Sequence, residues 1–63
     1  MKYAYQAHAM LPADAEWSCS FGSPGEGGYN EYHRTPDGGR WRISNGSYDL
    51  PSFALNWQCE KVD

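Results

Sequence analysis

Apolar and polar side chains alternate along much of this chain, and a period of two marks strands with one buried face. The alternation is clearest on either side of Pro36-Asp37-Gly38-Gly39. Asp-Gly supplies the positive φ angles of a tight turn, so residues 29–44 are predicted to form a β-hairpin with Thr35 opposite Arg40. That register sets Arg34 against Trp41, His33 against Arg42 and Tyr32 against Ile43. Opposed residues share a face of the sheet. Tyr32, Trp41 and Ile43 would then face a core, with Arg34 beside Trp41 near the tip. Glu31, His33, Arg40 and Arg42 would form a charged outer surface.

The same pattern predicts further strands. In residues 2–10, Tyr3, Tyr5, Ala7 and Ala9 share one face, while Lys2, Ala4, Gln6 and His8 share the other. Residues 11–15 read as a connection. Glu16 to Phe21 alternates with Trp17, Cys19 and Phe21 inward. Gly22 to Gly28 is a glycine-rich loop that lacks the Lys-Ser/Thr ending of a P-loop and carries the repelling Glu26, so it reads as a plain connection. Asn45-Gly46 signals a second tight turn that would pair Ile43 with Tyr48 and lead into a strand ending before Pro51. Phe53, Leu55, Trp57 and Cys59 alternate as a last strand. A helix capped by Ser52 over residues 52–62 is the rival there, because Leu55, Cys59 and Val62 also fit helical spacing. The expected fold is mainly β: a small single-domain antiparallel sheet of four or five strands, a β-meander, with one short C-terminal helix as the alternative ending.

Composition sharpens this picture. The chain has 63 residues, one domain, and a chain so short buries only about 60% of its unfolded surface. Leu11, Ile43, Leu50, Leu55 and Val62 are its only Leu, Ile and Val residues, against three Trp, five Tyr and two Phe. The core must therefore be aromatic, and some rings must remain at the surface, where Tyr and Trp favour interfaces. Surplus aromatic area would also suit a homodimer. The net charge is −3, yet Arg34, Arg40 and Arg42 are three of the five basic residues and all lie on the hairpin. An acidic total argues against a dedicated nucleic-acid binder. No apolar run reaches membrane-spanning length, and the start MKYAYQAHAM is not a secretory signal. A cytoplasmic location is the expectation.

Candidate chemistry is sparse. Cys19 and Cys59 could meet in the sheet, but in a reducing cytosol they are expected to be free, core-filling thiols. His8, Cys19, His33 and Cys59 could in principle make a Cys₂His₂ zinc site. Their spacing argues against it, since zinc ligands usually come as close pairs, so no metal or other cofactor is expected. No nucleophile-and-base signature is visible, and a domain this small leaves little room for a cleft of about 300 Å3. An enzyme is not expected.

The hairpin carries the functional expectation. Arginine offers a rigid fork of donors, so Glu31, His33, Arg40 and Arg42 are the candidate polar contacts to a partner, with Tyr29 as an anchoring ring. In being small, acidic and ring-rich without catalytic equipment, the chain resembles the stand-alone inhibitors and accessory proteins of bacteriophages and mobile elements, anti-CRISPR proteins among them. That resemblance implies a protein-binding module that blocks a larger, nucleic-acid-binding partner. The alternative is a β-domain that binds nucleic acid directly, with bases stacked on Trp41 or tyrosines and arginines on phosphate.

Overall fold

The computed structural model describes residues 1–45, 48–49 and 54–63. Within them lie α1 (Ala4–His8), β1 (Glu16–Phe21), β2 (Asn30–Arg34), β3 (Arg40–Ser44), β4 (Tyr48–Asp49), β5 (Ala54–Leu55) and β6 (Gln58–Lys61). The fold is mainly β. A four-stranded antiparallel sheet runs in the order β1-β2-β3-β6, and β4 pairs with β5 as a separate short ladder. The chain is thus a meander as far as β3.

Residues 2–10 do not form the expected strand. Ala4, Ala7 and Leu11 recur at helical spacing and pack together at the core, and alanine is the strongest helix former. The Gln6 side chain accepts the Tyr3 backbone N–H at 3.0 Å, the reach-back half of a capping box. Alanine suits both periods, so the tyrosine alternation misleads: Tyr3 and Tyr5 stack on each other, at 5.7 Å between ring centres, on the exposed side of α1.

The hairpin forms with a register one residue away from expectation. Arg34 stands opposite Arg40, His33 opposite Trp41, Tyr32 opposite Arg42 and Glu31 opposite Ile43. The loop is the reason. Gly38 N–H donates to the Thr35 carbonyl at 3.0 Å and Thr35 N–H donates to the Gly39 carbonyl at 3.0 Å. Gly38 has φ of 90°. These are the marks of a three-residue turn with a glycine bulge rather than an even-numbered turn. A slip of one residue exchanges the two faces of a strand. Ile43 remains buried, so Glu31 and His33 turn inward with it, and Tyr32 turns outward with Arg42.

β1 departs in a related way. A bulge between Trp17 and Cys19 shifts the pairing, leaving Trp17 opposite His33 but Cys19 opposite Tyr32 and Phe21 opposite Asn30. The extra residue breaks the common face that strict alternation predicts for Trp17, Cys19 and Phe21. Trp17 and Phe21 are 60% and 62% exposed. α1 packs beside β6, at the opposite edge of the sheet from β1, so it does not cover Trp17.

One face of the sheet is covered. Ala7, Tyr29, Ile43 and Trp57 form its core, with Ala4, Leu11 and Cys59 against them. The Tyr29 and Trp57 rings meet edge to face at 5.9 Å. Ile43 pairs with Cys59 on one side and Glu31 on the other, not with Tyr48, whose partner is Leu55. Asn45 is fully buried. It accepts the Tyr29 N–H at 2.9 Å and donates to the Pro24 carbonyl at 3.0 Å, so it clamps the glycine-rich loop to the sheet. Gly46, Ser52 and Phe53 lie outside the described residues. Gln58–Lys61 is a strand, so the rival C-terminal helix over residues 52–62 does not form there. Cys19 and Cys59 are both free. They sit on the two outermost strands and on opposite faces, and do not meet as neighbours.

Candidate functional site

Two clusters of polar side chains emerge, one on each face of the sheet. The first is on the covered face. Alternation along β2 brings Tyr29, Glu31 and His33 to one side, and the last residue of α1 brings His8 to meet them. Glu31 and His33 are each only 8% exposed. The Tyr29 hydroxyl donates to Glu31 Oε1 at 2.6 Å. His8 Nε2 stands 2.7 Å from Glu31 Oε2, and His33 Nε2 meets the same oxygen. His8 Nδ1 donates to the Ala4 carbonyl at 2.9 Å, one turn back along the helix.

The electrostatics follow from this packing. Burial works against the Glu31 carboxylate, but the hydrogen bonds from Tyr29, His33 and His8 outweigh it and hold the pKa below the ordinary value. Burial likewise works against a charged His8, and is outweighed by the Ala4 carbonyl and Glu31, so its pKa is raised. The Tyr29 hydroxyl is pushed up by burial and then by the neighbouring carboxylate.

The second cluster lies on the opposite face, which no described element covers. Cys19, Phe21, Tyr32, Arg34, Arg40 and Arg42 line an open groove of about 450 Å3. Phe21 and Tyr32 meet edge to face at 6.3 Å. Arg42 pairs across the strands with Glu60, and Arg40 lies 3.7 Å from Asp63. The Arg42 Nε–H has no partner among the described residues. Arg34 and Arg40 stand directly opposite each other. Like charges so placed repel, and an anion between them would relieve that repulsion.

The five residues singled out from the sequence are therefore divided by the sheet. Arg40 and Arg42 lie on the open face as expected. Tyr29, Glu31 and His33 are turned by the register to the core side, where each is buried, although His33 also lines the edge of the groove. Trp41 also sits on the covered side, opposite His33 and away from the arginines, so the rings beside the basic groups are Phe21 and Tyr32. Sequence reasoning missed Phe21, Tyr32 and Arg34, and grouped His8 with His33 only in the disfavoured zinc set with the two cysteines. The meeting of His8 with Glu31 carried no signal, because the two lie 23 positions apart. Arg34 is visible in the basic run, but alternation alone gives it, like the rest of β2, the wrong face. Comparison with known protein families, curated proteins and solved structures found no match.

Proposed function

We propose that this chain is a non-enzymatic binding module, and that it occupies a surface of a larger protein through the uncovered face of its sheet. The observation that carries this reading is the groove in which Phe21 and Tyr32 lie beside Arg34, Arg40 and Arg42. Rings give contact area at low entropic cost, and guanidiniums give directed donors; aromatic residues and arginine are the types enriched at interface hot spots. The chemistry fits an acidic segment that also carries apolar side chains: carboxylates between Arg34 and Arg40, apolar groups on the rings. A finer form of the reading makes the chain an inhibitor of a nucleic-acid-binding partner, in the manner of an anti-CRISPR protein; its support is small size, a net charge of −3 and ring content.

The test compares proteins captured by the wild-type chain, by Phe21→Ala/Tyr32→Ala and by Tyr5→Ala, whose ring is exposed on α1. A partner retained by Tyr5→Ala and lost by the open-face variant supports the reading. Equal capture by all three moves the interface elsewhere. The same groove gives a second reading, a single nucleic-acid strand with bases on Phe21 and Tyr32 and phosphates on the arginines. Retention on single-stranded DNA that falls steeply with salt would favour that reading instead.

A further inference from the structure

We propose that His8, Glu31 and His33 form a binding site for a divalent transition-metal ion of the zinc class, with His8 Nε2, His33 Nε2 and Glu31 Oε2 as ligands. These atoms come from α1 and β2 and all lie within 4.8 Å of one another. Two imidazoles and a carboxylate are a recognised set for zinc, with a fourth position left to water. Here that position would open on the side of His8, whose side chain is 39% exposed, against 11% for Glu31 and His33.

The hydrogen bonds around the cluster are those a metal site requires. Ligating histidines are oriented by a bond from the other ring nitrogen, often to a backbone carbonyl, and ligating carboxylates are themselves hydrogen-bonded. His8 commits its Nδ1 proton to the Ala4 carbonyl at 2.9 Å, and Glu31 receives the Tyr29 hydroxyl on Oε1 at 2.6 Å, leaving Oε2 to the histidines. With Nδ1 as the donor, a neutral His8 turns its Nε2 lone pair toward a carboxylate oxygen. A cation must lie between them, either a proton or a metal ion. Bonds of about 2.0–2.1 Å in a tetrahedral site place ligand atoms roughly 3.3 Å apart. The present 2.7 Å between His8 Nε2 and Glu31 Oε2 must open by roughly 0.6 Å, and the His33 contact to the same oxygen must open with it; His8 can move because it sits at the free end of a five-residue helix. A bound ion would tie α1 to the sheet in a domain too small for a large core.

The experiment uses the untagged chain stripped with chelator. Cobalt(II) is added while the visible d–d bands are followed, and zinc(II) while thermal melting is followed. The expectation is one cobalt per chain, displaced by zinc, and a rise in melting temperature of about 20 °C at roughly a hundredfold excess of zinc over Kd. His8→Gln, at a half-exposed position, should keep the fold and lower affinity by about a hundredfold or more; Tyr29→Phe should lower it by roughly tenfold through the carboxylate. Cys19→Ser/Cys59→Ser should bind as the wild type does. Absence of both the bands and the melting shift would overturn the proposal and leave a proton as the cation between His8 and Glu31. Binding that survives in His8→Gln but is lost in the cysteine variant would overturn it as well.

Discussion

Glu31 stands directly opposite Ile43 in the β2–β3 ladder. Ile43 is fully buried, and cross-strand partners share a face, so this pairing takes a carboxylate into the core. The carboxylate is tolerated there because three side chains satisfy it: Tyr29, His33 and His8. Removing it leaves the buried polar atoms of Tyr29 and His33 without that partner. Glu31→Ala is expected to cost about 3 kcal/mol in urea unfolding with chelator present, and Glu31→Gln, which still accepts the Tyr29 hydroxyl, clearly less. A cost for Glu31→Ala under about 1 kcal/mol would mean that the cluster contributes little to folding.

Asn45 supports the same region from the backbone side. Its amide is the partner of both the Tyr29 N–H and the Pro24 carbonyl. Asn45→Ala should destabilise by about 2 kcal/mol, the cost of leaving buried polar groups unpaired. Hydrogen exchange at the Tyr29 amide should rise with it. Unchanged exchange would show that another group has replaced the side chain.

The two C-terminal-half tryptophans should differ. Trp57 is 7% exposed and packs edge to face on Tyr29, so Trp57→Ala should cost about 3–5 kcal/mol. Trp41 is only half-buried, and Trp41→Ala should cost roughly half as much. Sequence alternation assigns the buried-ring role to Trp41, and denaturation of the two variants decides between them.

The hairpin turn should respond to acid. Asp37 is held below the ordinary carboxylate pKa by the Thr35 hydroxyl and then by the Gly39 N–H. A depressed pKa means that the ionised form favours the folded state. The stabilisation is complete above the unfolded value of 3.8 and is lost as pH falls through the lower native value. The melting temperatures of wild type and Asp37→Ala should differ at pH 6 and converge toward pH 2. A gap that does not narrow on acidification would remove ionised Asp37 from the turn.

Short-range pattern was enough for the strands at Glu16–Phe21, Asn30–Arg34 and Arg40–Ser44, for the turn between the last two, and for the antiparallel, mainly β fold. Alternation and turn chemistry act between neighbours in the chain, so they can be read there. The two faces could not be read in the same way. They depend on parity, and a single residue reverses parity: the glycine bulge at Gly38 did so for β2, and the bulge after Trp17 did so for β1. Tyr29, Glu31 and His33 were thus legible as one group but not as an inward one. The helix at Ala4–His8 was hidden because alanines fit both periods, and only packing of Ala7 into the core selects between them. The meeting of His8 with Glu31 and His33 lay furthest from view. It joins a helix to a strand across a long loop, and it exists only once the sheet has chosen which side the helix covers.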